Sequence, residues 1–333
     1  MRNWISSLLI VLCSGSIAGA ENNDAGTAPF SSDRVLMANV SRLPADQSPM
    51  GIYLNEVPPA PTPPTQSIDF AKLMRPTFDL AVEWQAEASN IELTSYDARI
   101  TVPTYPFFGP PPPFLNAGFS YSDLNAPDAL DLPSDLYDYS LGFAWMRRIN
   151  DRWMLRFMFS TALATDGKNN SSDAWQFRGG AFAMYRPNPQ WTWIVGALAL
   201  GRNDIPVVPA VGAIWQPNPA LRFDLTFPKP KVAFLLRDSG PRQQWGYLGG
   251  GFSGGTWAYK QASGIDDQLT YRDWRIVIGW ETTPTPEPGM PFTRGRKLGV
   301  EAGYVFARQF EFETARPDIN LQEALMLRVS ASF

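Results

Sequence analysis

The segment Leu325-Met326-Leu327-Arg328-Val329-Ser330-Ala331-Ser332-Phe333 decides how the chain is read. Apolar residues stand at 325, 327, 329, 331 and 333, and Met326, Arg328, Ser330 and Ser332 stand between them. A period of two puts alternate side chains on opposite faces of a β-strand. One face of this strand is apolar along its length, and the other carries a charge.

The same period recurs upstream. Phe78, Leu80, Val82 and Trp84 alternate with Asp79, Ala81, Glu83 and Gln85. Tyr137 to Trp145, Trp153 to Phe159, Trp175 to Tyr185, Leu221 to Phe227, Trp274 to Trp280 and Leu298 to Phe306 repeat it. Soluble strands average about 5–6 residues, whereas a tilted strand that crosses a bilayer needs about 9–11. The long runs predict an all-β fold, an antiparallel transmembrane β-barrel of about 12–14 strands. The expected strands are 77–88, 91–102, 114–124, 136–148, 152–164, 174–186, 191–201, 205–215, 220–236, 244–259, 269–281, 297–307, 309–314 and 324–333, with a tight hairpin around Arg308 in Tyr304 to Phe312.

Three turns share a plan. Trp145 to Trp153, Tyr185 to Trp191 and Trp215 to Leu221 each run from an aromatic through Asn150, Asn188 or Asn218 to an apolar restart. Asn and Pro supply turn geometry, and aromatics beside such turns suit a membrane-water interface. Asp166 to Asp173 and Thr282 to Arg296 are longer, so short turns are expected at one end of the barrel and long loops at the other.

Composition excludes several functions. The 333 residues are 18% charged and 13% aromatic, with 12 Trp. Soluble domains carry about a quarter charged residues, so the surface suits something other than water. A net charge of -4 gives no basic footprint for nucleic acid. There is no His, and Cys13 is the one cysteine. The commonest general base and zinc ligand are therefore missing, and a Ser-His or Cys-His nucleophile is impossible. Barrel phospholipases and omptin-type proteases, which need a catalytic His, are ruled out. No enzyme activity, cofactor or metal is expected.

Met1 to Ala20 reads as a signal peptide (residues 1–20). Arg2 precedes the apolar run Trp4 to Leu12, and Ala18-Gly19-Ala20 is a small-x-small cleavage site. The run is too short to span a bilayer, which takes about 20 residues. A short core helix is the plain alternative, and lipid attachment at Cys13 is disfavoured by Leu12 before it. Residues 21–76 form an irregular Pro-rich arm with the polyproline-type linker Pro58 to Pro64. Residues 77–333 are then the outer-membrane barrel of an exported protein.

The C-terminal strand resembles the signal that barrel-assembly machinery recognises, with Leu325, Leu327, Val329, Ala331 and Phe333 as the signal residues. The stretch Gly299-Val-Glu-Ala-Gly-Tyr-Val-Phe-Ala-Arg-Gln-Phe-Glu-Phe resembles the penultimate hairpin of an uncharacterised outer-membrane barrel family. That likeness covers about residues 70–333 and implies fold and location alone. Outer-membrane lipid and the assembly machinery are the implied partners, with a small solute as a further one.

If the large residues face lipid, the intervening ones face a lumen. Asp79, Glu83, Asp224, Asp273 and Glu301 then oppose Arg156, Arg178, Arg222, Arg275 and Arg328. A selective pore presents a constriction of one sign. Five acids against five arginines suggest pairing, because a buried unpaired ion is costly. Gly249 to Gly255 superficially resembles a phosphate loop, but no helix pattern follows, and a bent or closely approached strand is the better reading. Asp266-Asp267 and the acidic group Asp128, Asp131 and Asp135 fit a loop Ca²⁺ site less well than solvated loops.

The reading of choice is an integral outer-membrane barrel acting as a passive channel, transporter or structural protein. A secreted β-sandwich binding module is the second class, and a His-independent outer-membrane enzyme the third.

Overall fold

The structure, a computed structural model, describes residues 74–107, 111–202, 205–285 and 295–333. The reading of residues 1–20 as a signal peptide lies outside these, as does that of 21–76 as an arm except for residues 74–76.

Fourteen strands close an antiparallel barrel in chain order. They are β1 (Thr77–Ala88), β2 (Ile91–Pro103), β3 (Phe114–Asn125), β4 (Asp135–Arg148), β5 (Trp153–Thr165), β6 (Trp175–Asn188) and β7 (Trp191–Ala199). The other half comprises β8 (Val207–Asn218), β9 (Leu221–Asp224), β10 (Lys231–Asp238), β11 (Arg242–Lys260), β12 (Asp266–Pro284), β13 (Lys297–Phe312) and β15 (Ala324–Ser332). A short β14 (Ile319–Leu321) rides on the end of β13. β1 pairs with β2 and β15, and β12 pairs with β13, so the ring closes. Closure gives every wall strand a neighbour on each side, as a sheet in hydrocarbon requires.

Glu83 faces Arg328 in the β1–β15 register, and Phe78 and Phe333 exchange backbone hydrogen bonds of 3.1 and 2.8 Å. Both termini of the barrel thus lie at one end. The turns at Asn150, Asn188 and Asn218 lie at that same end. There Asn150 Oδ1 accepts from the backbone N–H groups of Arg152 and Trp153, and Asn188 Oδ1 from those of Gln190 and Trp191. Asn218 Oδ1 accepts from the Ala220 N–H at 2.9 Å. Each Asn side chain holds its own turn, which explains the repeat.

Three expectations need correction. The connection from Thr282 to Arg296 joins β12 to β13 at the end of the short turns, residues 104–113 join β2 to β3 at the same end, and Ser89–Asn90 makes a tight turn at the other end with φ of 57° and 59°. Long and short connections therefore occur at both ends. Residues 220–236 form two strands, because Pro228 and Pro230, which have no backbone N–H for the ladder, interrupt the run. The expected hairpin around Arg308 is one continuous strand. Ala307 there has a φ of 49° beside a register shift, a bulge that turns Arg308 inward.

The outer face is apolar. Phe78, Leu80, Leu141, Phe177, Val195, Ile276, Leu325, Leu327 and Val329 are all exposed. Near the termini end, paired rings link neighbouring strands: Trp153–Tyr185 tilted at 4.8 Å, and Trp191–Trp215 and Trp215–Phe223 stacked at 5.5 and 5.0 Å between centroids. Trp175, paired with Leu163, marks a second aromatic level. Ten residues separate Trp153 from Leu163 on β5. At about 3.3 Å per residue and a tilt of about 40°, that is roughly 25 Å, the height of an outer-membrane apolar band. Among the described residues no helix is long and apolar enough to cross a membrane.

Candidate functional site

All ten charges expected in the lumen are buried on inward faces: Asp79, Glu83, Arg156, Arg178, Arg222, Asp224, Asp273, Arg275, Glu301 and Arg328. The interior holds more ions than the alternation selected. Asp138, Asp166, Asp267, Glu281, Arg202, Lys231, Lys297 and Arg308 are also buried. Among the described residues this makes nine buried acids against nine buried bases, so the enlarged set is still balanced.

Glu83 is the hub of the largest group. It is fully buried, Arg275 Nη1 donates to both its oxygens at 3.1 Å, and Arg328 Nη1 donates to Oε2 at 2.8 Å. Arg275 also grips Asp273 with two donors, at 2.7 and 3.0 Å, and Arg328 Nη2 reaches Asp97 at 3.4 Å. Such paired, charge-assisted bonds hold buried ions in place. The group ties β1, β2, β12 and β15 together, across the seam where the first and last wall strands meet.

Two further groups line other arcs of the wall. On β6, Arg178 Nη2 donates to Asp138 on β4 at 2.7 Å, while neighbouring Gln176 Nε2 donates to the Thr256 carbonyl at 2.7 Å. Lys231 Nζ lies 3.4 Å from Glu281 and 3.8 Å from the centre of the Tyr247 ring, whose hydroxyl donates to Glu301 at 2.6 Å. Arg222 and Asp224 approach to 3.7 Å. Between these arcs, an apolar patch on the inner face of β5 to β8 is built from Met158, Phe182, Met184, Ile194, Leu198 and Ile214.

The Asp266–Asp267 and Asp131 loops are anchors. Asp267 accepts from the Thr314 N–H and hydroxyl, the Tyr259 hydroxyl, Gln261 Nε2 and the Gln268 N–H, at 2.8–3.1 Å. Asp131 Oδ1 accepts from the Ala262 N–H at 2.9 Å, and Asp135 accepts from Tyr121 and Ser134. Donors of the chain itself thus occupy these carboxylates. Among the described residues no three His, Cys, Asp or Glu side chains converge as metal ligands.

These anchors belong to a feature that alternation did not predict. Up to Gly249, β11 pairs with β10 and forms wall. From Gly251 to Tyr259 it is buried on both faces, as is β12 from Asp267 to Tyr271. The tip of this hairpin crosses the mouth opposite the termini. Ala258 pairs in parallel with Thr165 on β5, and Asp166 N–H donates to the Ala258 carbonyl at 3.0 Å. Asn169 Nδ2 and Gln268 Nε2 add cross-mouth bonds of 3.1 and 3.0 Å. The Gly249–Gly255 run makes the bend. Gly254 has a φ of 134°, and a Cβ there would come within 2.0 Å of the Tyr271 carbonyl.

Beneath the polar ties lies a true core. Trp257, Tyr259, Leu269 and Tyr271 from the hairpin pack on Ile91, Leu93, Leu124, Leu136, Phe310 and Leu321. Arg316 clamps the rim, donating to the Tyr259 hydroxyl, the Asp131 carbonyl and the Leu130 carbonyl. Burying a large apolar side chain is worth about 1.5–3 kcal/mol, so the hairpin's four contribute about 6–12 kcal/mol. The cap is a fixed part of the fold.

A closed, tilted barrel with an apolar outer band and an ionic interior defines the class of outer-membrane-type β-barrels. The chain belongs to the family described as Domain of unknown function (DUF6268), whose model matches residues 114–316. Solved structures similar to it include the KdgM porin (8% identity over 77% of this chain and 98% of that one, TM-score 0.34). The NanC porin follows at 9% identity, 77% and 98% coverage and a TM-score of 0.31. An outer membrane channel from Pseudomonas putida F1 shares 13% identity over 82% of this chain and all of that one, with a TM-score of 0.36. No curated protein matches the chain.

Proposed function

We propose that this protein passes small solutes across the outer membrane by a restricted route and is not a general diffusion pore. The observation that carries this reading is the β11–β12 tip, packed across the mouth by a hydrophobic core. The balanced interior supports it: nine buried acids meet nine buried bases among the described residues, so no ring of one sign selects or draws an ion. In this reading residues 1–20 are the export signal, 21–76 an arm and 77–333 the barrel. Leu325, Leu327, Val329, Ala331 and Phe333 present the outward face that the assembly machinery reads, and four of the five are exposed, with Ala331 half-buried.

Single-channel recording on refolded protein in a planar bilayer tests the proposal. The unmodified barrel should show a quiet baseline, and Gly254→Val, which disturbs the bend of the cap, should add discrete openings. A large steady conductance from the unmodified barrel would overturn the reading. Silence in both proteins favours the alternative, a structural barrel, which the packed interior also fits.

A further inference from the structure

We infer that the barrel has a lateral entry in its wall, between β8 and β11, that admits small apolar molecules from the outer leaflet. This rests on the proposed transport role and names its substrate class and path.

The wall is unequal in height. β5 runs eleven residues from Trp153 to Leu163, the level of the second aromatic ring, whereas the β9 ladder climbs seven, from Leu221 to the Phe227–Val211 hydrogen bond of 3.1 Å. On the other flank β11 keeps backbone partners to Phe252, whose N–H donates to the Pro228 carbonyl at 3.4 Å. Beyond that point β11 turns into the mouth. The β9–β10 hairpin therefore stops about four residues, or roughly 10 Å of height, below the top of the apolar band. Residues 207–210 of β8 stand above it with no ladder partner on that side among those described.

What flanks this notch outside is lipid-type surface. Val207, Val211, Leu225 and Phe227 are exposed. Inside, it opens on the apolar arc of β5 to β8. Leu198, Val208 and Ala210 are buried there, and Leu200 packs on the same group. Arg202 and Phe252 meet there: the guanidinium lies 4.9 Å from the centre of the ring, which also meets Trp274 edge-on at 5.8 Å. Arg202 and Phe252 are both buried, and a Cβ on Gly254 would come within 2.9 Å of Arg202 Nη1. The aqueous mouth is closed by the hairpin core, so the route we infer runs past this pair from the lipid side. A hydrophilic solute does not collect there, but an apolar one dissolved in the bilayer does.

Uptake of the apolar dye N-phenyl-1-naphthylamine by cells expressing the full chain tests the route, with heat-modifiable gel mobility reporting a folded barrel. Expression should raise uptake several-fold. Val208→Trp, which fills the notch from inside, should return it to background, and Val208→Phe should lower it partway. A disulfide between Thr165→Cys and Ala258→Cys locks the cap and should leave uptake unchanged. Background uptake by the folded unmodified barrel, indifference to both Val208 variants, or abolition by the cap lock would each overturn the lateral route. If Val208→Trp does not fold, Val208→Phe alone decides. Ion openings from Gly254→Val without dye uptake would sink this inference and keep the transport reading, while silence in both assays sinks both.

Discussion

Ala258 pairs in parallel with Thr165, across a barrel whose wall pairings are all antiparallel. The two residues sit on strands separated by five others in the ring, so the contact exists only because β11 leaves the wall and spans the mouth. Cysteines at both positions should therefore oxidise to a disulfide in the folded barrel. They would close a loop of about 90 residues, which in the chain-entropy view stabilises by about 4.6 kcal/mol. Cys13 is the only native cysteine, so the product is easily read on non-reducing gels in a Cys13→Ser background. A higher temperature for the heat-modifiable mobility shift is expected, and failure to cross-link would rule out the cap geometry.

Glu83 should be the costliest interior ion to neutralise. Glu83→Gln leaves Arg275 and Arg328 facing each other without the carboxylate that both now hold. Breaking a buried pair in this way costs about 3–5 kcal/mol. Urea unfolding in detergent or lipid should show that loss. Adding Arg328→Gln should restore part of it, because the second change removes one stranded cation; an additive loss in the double variant would contradict the hub.

The wall was legible because its chemistry repeats every second residue. Large outward side chains and inward charges follow from parity alone, as Leu327 and Arg328 show on β15. Parity fails where the surroundings of a strand change. Trp257, Ala258 and Tyr259 are consecutive buried residues, a pattern that fits a strand covered on both faces, but nothing in it says that a barrel mouth provides the cover. At Ala307 a single bulge swaps the faces. Val305 and Arg308 both point inward, while Phe306, Phe310 and Phe312 look in sequence like one unbroken outward stripe. The Arg202–Phe252 contact joins a loop to a bent strand 50 positions away, and no local pattern announces it.

The rim clamp predicts a local effect. Arg316→Ala removes donors to Tyr259, Leu130 and Asp131 while leaving the wall pairings untouched. A loss of about 1–3 kcal/mol is expected from the acceptors left behind. Hydrogen exchange should quicken in residues 257–271 and stay unchanged in β1 and β15. Uniform quickening over the whole barrel would show that the cap and wall unfold as one unit.

Depth in the membrane can be read on the strand that ends the chain. Leu325, Leu327 and Val329 are all exposed on the same face of β15, yet they lie at different heights above the termini end. Arginine on a lipid-facing position costs about 2–4 kcal/mol at the midplane and about 0–1 kcal/mol near an interface. Val329 stands four residues above Phe333, roughly 10 Å along the barrel axis and close to the middle of the band. Leu325, eight residues above, stands near the upper interface. Val329→Arg should therefore lower folding stability in phospholipid bilayers by about 1–4 kcal/mol more than Leu325→Arg. The ordering should vanish when the same variants unfold from short-chain detergent micelles, which offer water a path to the guanidinium at every depth. Equal costs in the bilayer would mean that this face of β15 does not meet lipid.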